Sequence, residues 1–365
     1  LRYCLSAPRV VEAFGRDLAE FSIRPGRDAA ESWSEISGKQ HFFDRCMAVH
    51  IQSSALSGFL CSIIENMVSG SSNASTVAEQ AEAVRLLAGA SGVESAVMLD
   101  ELDELLDSVA AHPQAPVEFV DPSVESALAW LRADPALARD LELFLERHGH
   151  RGYRELCMRD PAWREDLSPL VQSMQAGVHA RLLTGGRREI STEVVDPATL
   201  SRGLRRILPK AHNAIRRREH TKSQLVEVAH RFQLAFRHLG EQLAAEATLP
   251  DADLVHFFTT DELTPFIASP THAAVQQAQA RRAALEHQQR FEFPEISVGL
   301  PHPLEPQLLD VSDGVLQGRP ASRGVVEGVV RVAHTLNEAA RLSPGEILVT
   351  PITDIGWTPY FSLIG

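Results

Sequence analysis

Apolar residues recur at three- and four-residue steps along most of the chain, which is the spacing of an amphipathic helix. The clearest stripe runs from Leu225 to Leu243 and predicts a long helix over residues 213–247. A helix of this length typically forms the spine of a bundle. Further helices are predicted over residues 41–69, 76–90, 94–111, 123–132, 134–148, 162–180, 196–207 and 271–290. We therefore expect residues 1–290 to form one helical domain.

The pattern changes after residue 290. Prolines and loop residues dominate residues 291–313, which we interpret as a hinge linker. Residues 314–365 then show a different order: an alternating strand pattern from Val326 to Val332, a short helix over 336–342, a turn at Ser343-Pro344-Gly345 and a second strand over 346–350. A last helix is expected to begin at Thr358 and Pro359. This segment predicts the opening of a small β/β/α domain.

Both ends of the sequence bear on its completeness. It begins at Leu1 without an initiator Met, and it ends about one turn into the last predicted helix. An isolated helix that short is not stable. We therefore expect the sequence to be a fragment of a longer protein, with residues 314–365 forming an incomplete domain.

Four sequence blocks carry a family resemblance. They are ASRGVVEGVVRV, SPGEILVTPITDIGWTP, FLERHGHRGYRELCMRDPAWREDLSPL (residues 144–170) and the segment from IRRREHTKSQLVEVAHRF to DADLVHFFTTDEL (residues 215–263). They resemble the PEP-utilising enzymes, which include phosphoenolpyruvate synthase and pyruvate phosphate dikinase, and most closely the rifampicin phosphotransferase-like group. The C-terminal blocks look like the start of the phosphohistidine mobile domain of that family.

The resemblance implies a mostly α-helical acceptor-binding domain followed by a truncated swivelling β/β/α phosphohistidine domain. It also implies an ATP-dependent dikinase-type phosphotransferase, using Mg²⁺, that passes a phosphoryl group through a histidine to a small organic hydroxyl compound. The family's catalytic histidine would lie beyond Gly365, and its ATP-grasp domain would lie elsewhere in the same polypeptide. We therefore expect these residues alone to be inactive. The alternatives are phosphoenolpyruvate synthase-type phosphorylation of pyruvate, and a non-catalytic helical scaffold or ligand-binding protein.

The first candidate site is the glycine-flanked loop that follows a helix at Gly149. Here Arg151 and Arg154 are candidates to hold an anion, and His150 is a candidate proton carrier. The structural alternative is an ordinary helix end, since His and Arg complement the free carbonyls and the dipole at a helix C-terminus.

The second candidate site is the arginine-rich start of the long helix. Arg216, Glu219 and His220 are spaced three and four residues apart, so they share a helix face and are candidates for an ion-paired cluster facing a substrate. The alternative is a solvated basic face. Arg216 and Glu219 are accordingly predicted as substrate-binding residues.

Composition narrows the class of partner. The net charge of −13 argues against nucleic acid or an anionic membrane surface, and polar residues interrupt the most apolar stretch, residues 46–68. The four cysteines are scattered, which predicts no disulfide framework or zinc site and favours a cytoplasmic location. No helical metal motif is present. The resemblance implies a small-molecule acceptor as the partner.

Overall fold

The structure of the protein is a computed structural model. It describes residues 2–70, 76–90, 92–185, 197–294, 296–305, 325–339, 341–353, 357, 360–361 and 363–364. The described helices are α1 (Arg2–Glu20), α2 (Ala29–Ser69), α3 (Val77–Ala88), α4 (Glu94–Ala110), α5 (Val124–Ala133), α6 (Pro135–His148), α7 (Ser168–Thr184), α8 (Arg202–Ala245), α9 (Thr260–Ala268), α10 (His272–Gln288) and α11 (Leu336–Ala339). Strands β1 (Val330–Val332) and β2 (Ile347–Val349) lie near the C-terminal end. The predicted predominance of helix is confirmed.

The chain divides into two compact units. The first comprises residues 1–21, 41–231 and 321–365, and the second comprises residues 22–40 and 232–320. Helices α2 and α8 contribute to both units. The boundary expected near residue 290 stays a prediction, and residues 306–324 of the expected linker and domain start lie outside the described residues.

The long helix α8 is longer at its start than the sequence predicts. The sequence predicts separate helices over residues 196–207 and 213–247. Pro209 lies between them, and a proline lacks the backbone N–H that a helix interior needs. That prediction is wrong, since α8 runs through Pro209 without a break. The physical reason lies in packing: Leu208 and Ala211 on either side of the proline are buried against Ile64 and Leu86. Burial of this apolar face offsets the lost backbone hydrogen bond.

The first unit has a continuous core where α4 to α7 pack together. Helix α4 contributes Met98, Leu102 and Leu106, all 1% exposed or less. The same cluster includes buried residues of the following helices and loops: Leu131, Leu141, Phe144, Trp163, Val171, Met174 and Val178. Polar contacts fix the helix ends, since the amide Nε2 of Gln175 donates to the carbonyl of Phe119 at 2.7 Å. This core holds the loop between α6 and α7 in place.

The C-terminal segment contains the two predicted strands, but β1 is shorter than the alternating pattern predicts, since Val330–Val332 form the strand and residues 325–329 do not. Strands β1 and β2 pair in parallel, with Val330 opposite Ile347, and α11 lies between them in the chain. Gly345 closes the predicted turn with a φ of 85°, a left-handed conformation that favours glycine. The helix expected at Thr358 and Pro359 lies outside the described residues.

The same segment packs on α7. Ala333, Leu342, Trp357 and Tyr360 are buried in a cluster that also includes Ala180 of α7. In contrast, Val326, Val330, Val332 and Val349 are each 47–56% exposed, as expected for a sheet with one uncovered apolar face. The short sheet therefore buries one side and leaves the other open.

Helix α2 is, by length and composition, apolar enough to cross a membrane. Core helices of soluble proteins pass the same test, and in the first unit α2 buries Cys46, Val49 and Ile64 against other helices. One of its polar side chains, that of Gln52, donates to the hydroxyl of Ser6 at 2.9 Å. These contacts favour a packed core helix over a membrane span.

Candidate functional site

The loop between α6 and α7 is pinned at several backbone positions. The N–H of Trp163 donates to the carbonyl of Arg151 at 2.7 Å, and the N–H of Arg164 donates to the carbonyl of Gly149 at 2.9 Å. A Cβ on Gly152 would lie 3.2 Å from both Ala162 Cα and the carbonyl of Pro161, which is a tight contact. Two glycines thus let this loop lie directly against the chain that leads into α7.

His150 lies inside this pinned loop. Burial lowers the pKa of its imidazole to about 3, and the nearby positive charge of Arg151 adds to the shift. The imidazole is therefore neutral at neutral pH. Its Nε2 is buried and has no hydrogen-bond partner in the part of the chain that the structure describes. A neutral ring nitrogen of this kind can accept or donate one hydrogen bond, according to its tautomer.

Two further histidines lie close enough to influence His150, and we call the three (His148, His150 and His230) the histidine cluster. The Nε2 of His148 contacts a carboxylate oxygen of Glu101 at 2.8 Å. His230 on α8 contacts the carboxylate of Glu165 at 3.0 Å. His150 thus differs from its two neighbours, since each of them has a carboxylate partner.

The two arginines of the loop have different environments. Arg151 is only 3% exposed, and its guanidinium pairs with the carboxylate of Glu155 at 3.0 Å. This pairing compensates its charge, although its Nε has no hydrogen-bond partner in the protein. Arg154 has a φ of 55° and a half-exposed side chain, which lies 5.9 Å from the Tyr153 ring and 3.6 Å from Asp160. Of the two, Arg154 is the one open to a dissolved anion.

The second predicted pair, Arg216 and Glu219, lies in the arginine-rich stretch of α8. Arg216 donates to the side-chain oxygen of Asn213 at 2.5 Å, and the carboxylate of Glu219 pairs with Arg218 at 2.6 Å. His220 of the same helix lies 3.5 Å from the carboxylate of Glu94 on α4. These contacts lie mostly at the surface, as the alternative of a solvated face predicts.

The same stretch of α8 faces α2. The Nδ1 of His50 contacts the hydroxyl of Thr221 at 3.1 Å. Burial lowers the pKa of His50, and the positive charges of Arg218 and Lys222 lower it further. These two cations therefore lie on the α2 side of α8, a detail that the arginine-rich sequence did not specify.

The structure separates the five predicted residues into two groups. Arg216 precedes His230 by fourteen positions along one straight element, which corresponds to roughly 20 Å at 1.5 Å per residue. The loop near His230 contains His150, Arg151 and Arg154, whereas Glu219 and Arg216 lie about three and four turns away along α8. The sequence missed Glu101, Glu165 and His230, since partners this distant in the chain leave no spacing signal.

The helices around the candidate site match a known sequence family. Residues 50–219 match the sequence model of the rifampicin phosphotransferase fourth domain. This segment includes four helices of the α4–α7 core and the whole α6–α7 loop. The chain is a member of the PEP-utilising enzyme family. The resemblance seen in the sequence is confirmed at this level.

Individual relatives extend the match within the PEP-utilising enzymes. The chain is 28% identical over 283 residues to a rifampicin phosphotransferase from a Streptomyces species, covering 72% of this chain and 32% of the relative. It is 25% identical over 360 residues to the prodigiosin synthesizing transferase PigC of Serratia marcescens, covering 90% of this chain and 39% of that protein. The chain thus spans about a third of the length of such relatives.

A shorter match points to another member of the family. Over 62 residues the chain is 40% identical to the phosphoenolpyruvate synthase of Aeropyrum pernix, covering 17% of this chain and 8% of that enzyme. The identity is higher than for the longer matches, but the match covers too little of either protein to describe the whole.

The side chains of the described residues limit where a metal ion could bind. Among them, no group of three or more His, Cys, Asp or Glu side chains has a geometry that could hold a metal ion. Cys46, Cys61 and Cys157 are free thiols, and burial raises the pKa of Cys46 to about 12. A thiol with so high a pKa stays protonated and is a poor metal ligand.

Proposed function

We propose that this chain is the acceptor-binding part of an ATP-dependent dikinase-type phosphotransferase. The intact protein would pass a phosphoryl group through a histidine to a small organic hydroxyl compound. Membership of the PEP-utilising enzymes and the match to the rifampicin phosphotransferase fourth domain support this reaction class. The helical bundle suits the role, since facing helices can enclose a small ligand.

The observation that carries the proposal is the buried Nε2 of His150, which lacks a hydrogen-bond partner among the described residues. A buried polar atom left unpaired costs about 1–3 kcal/mol. The hydroxyl of an acceptor would satisfy this atom, and the pinned loop would fix the direction of that hydrogen bond. We therefore assign His150 to the acceptor hydroxyl.

The neutral ring limits what His150 does in this scheme. With the pKa of His150 lowered to about 3, the imidazole would hold and orient the hydroxyl of the acceptor. It would not retain a proton taken from that hydroxyl at neutral pH. We assign Arg151 to the support of His150, since Glu155 already compensates its charge. Arg154, Arg216 and Glu219 are proposed as outer substrate-binding residues, with the two arginines attracting the phosphorylated group.

We assign residues 314–365 to the start of the phosphohistidine domain and residues 291–313 to its hinge. The parallel β1–β2 pair with α11 between its strands supports this assignment. The contact of this segment with Ala180 of α7 would then be one resting position of a swivelling domain. The histidine that carries the phosphoryl group is placed outside this chain.

ATP and Mg²⁺ are assigned to other parts of the same polypeptide, including an ATP-grasp domain. The described residues offer no metal-binding group that fits Mg²⁺, so no step is assigned to that ion here. Free cysteines and a net charge of −13 support a cytoplasmic enzyme that acts on a small molecule, without nucleic acid or a membrane as partner.

Phosphorylation of pyruvate is the second candidate function, favoured by the 62-residue match to a phosphoenolpyruvate synthase. The two reactions differ in the product formed from ATP and the acceptor. Full-length protein should be incubated with ATP and Mg²⁺ alone, with pyruvate, or with a panel of aromatic and aliphatic hydroxyl compounds, and AMP and organic phosphate should be measured.

We expect AMP, inorganic phosphate and a new phosphomonoester in equal amounts only when a hydroxyl compound is present, because one phosphoryl group of ATP goes to the acceptor and the other to water. Phosphoenolpyruvate formed from pyruvate would support the second candidate instead. No AMP under any condition would favour a non-catalytic scaffold.

A further inference from the structure

A groove lies between α1 and α8 in the first unit, away from the histidine cluster. Its volume is about 620 Å³. One face of α1 contributes residues between Pro8 and Ala19, and α8 contributes Arg217 and His220. A Cβ on Gly15 would lie 3.4 Å from the amide Nε2 of Gln224, so the two helices approach closely beside the groove.

The lining of the groove combines an apolar floor with positive charge. Pro8, Val11, Gly15 and Ala19 follow one another at three- and four-residue steps and form the apolar part. The cationic part is formed by Arg9, Arg16 and Arg217, with His220 beside them, and one carboxylate, that of Glu12, is present.

The charges of the groove are only partly compensated. Glu12 pairs with Arg16 at 3.1 Å, and His220 lies 3.5 Å from Glu94. Within the described part of the chain, Arg9 and Arg217 take part in no ion pair. The groove therefore offers two uncompensated guanidinium groups beside an apolar floor, in a protein that is acidic as a whole.

We propose that this groove binds a small organic phosphomonoester. Two guanidinium groups match the charge of a phosphate dianion, and arginine is the side chain best suited to phosphate oxygens. The apolar floor would hold the organic part of the ligand. A monovalent carboxylate would leave one arginine uncompensated, and a neutral ring would use only the floor. The inference stands without the proposed function, because it uses none of the residues assigned to the acceptor hydroxyl.

The test is a calorimetric titration of the 365-residue chain with three probes that share one ring. They are 4-methylumbelliferyl phosphate, the carboxylate 7-carboxymethoxy-4-methylcoumarin, and neutral 7-methoxy-4-methylcoumarin. We expect saturable binding of the phosphate, at least about tenfold tighter than that of the neutral compound and weakened by added NaCl. The carboxylate should bind with intermediate affinity.

Variants connect the binding to the groove. Arg9→Gln and Arg217→Gln should each weaken phosphate binding at least about fivefold. Ala19→Glu, at an exposed position, should weaken it by adding a negative charge without removing an arginine. The control is Arg139→Gln, which removes an exposed arginine from α6 of the same unit and should leave the affinity unchanged. Thermal unfolding by circular dichroism would show that each variant folds.

Four outcomes would overturn the proposal. They are the absence of saturable phosphate binding, equal binding of all three probes, tighter binding of the carboxylate than of the phosphate, and equal affinity of Arg217→Gln and Arg139→Gln for the phosphate.

Discussion

The histidine cluster and the arginine-rich stretch of α8 contain the same kinds of residues in different environments. In the cluster, His150 is neutral because it is buried, and Arg151 has its charge compensated by Glu155 inside the protein. In the arginine-rich stretch of α8, the side chains of Arg218 and His220 are about half exposed, and their carboxylate partners are partly exposed. Burial therefore decides whether an Arg-His sequence forms a buried polar cluster or a diffuse basic surface.

The largest expected difference between the two regions is in the free energy of unfolding that is lost when one carboxylate is removed from each. Glu155→Ala would leave the buried guanidinium of Arg151 without its partner, which typically costs 3–5 kcal/mol. Glu219→Ala removes the partner of Arg218, whose side chain is 47% exposed, and should cost less than about 1 kcal/mol. Urea denaturation followed by circular dichroism measures both changes in the free energy of unfolding.

Equal costs for the two substitutions would contradict this comparison. Glu155→Gln provides the control for side-chain size, since it keeps the shape and an oxygen acceptor but removes the charge. We expect its cost to lie between those of the alanine variant and the parent.

A smaller effect is expected from pH. Unfolded His150 takes up a proton below about pH 6.5, whereas the folded imidazole does so only near pH 3. The free energy of unfolding should therefore fall as the pH is lowered through this window, by up to roughly 1.4 kcal/mol per pH unit from this residue. His148, whose pKa is also lowered mainly by burial, should act in the same direction.

The variant His150→Gln should reduce this pH dependence between about pH 6 and pH 4. Arg216→Gln is the matched control, since it changes the arginine-rich stretch of α8 without removing a histidine. Its free energy of unfolding should depend on pH as that of the parent does. Urea denaturation at several pH values measures the slope. An unchanged slope in His150→Gln would mean that the ring is protonated in the folded protein, contrary to the buried neutral state.

The sequence predicted most helices, because their apolar stripes are long and regular. The stripe from Leu225 to Leu243 is the best example, and it lies within the observed α8. The continuous passage through Pro209 was not predictable in this way, since it depends on contacts of Leu208 and Ala211 with α2 and α3. The local propensity of proline disfavours a helix at this position, and tertiary packing overrides it.

The candidate site was predictable only in part. The glycines around His150 pointed to a special loop, and its residue types suggested polar chemistry. The burial of Arg151 and of the His150 Nε2 could not be predicted, because it depends on Trp163 and Glu165 later in the same loop and on His230 of α8. For the same reason, the sequence grouped Arg216 and Glu219 with the loop as substrate-binding residues, although the length of α8 separates them.

The most direct test of the account separates the two halves of the proposed reaction. Full-length protein and its His150→Gln variant would be charged with labelled ATP and Mg²⁺, freed of nucleotide, and then mixed with a hydroxyl acceptor. The acid-labile label on the protein measures the first half-reaction, and its transfer to the acceptor measures the second. We predict equal charging of both proteins and a need for at least about tenfold more acceptor in His150→Gln for half-maximal transfer. An unchanged acceptor requirement would contradict the assignment of His150 to the acceptor, and a loss of charging would show that His150 acts in the first half-reaction instead.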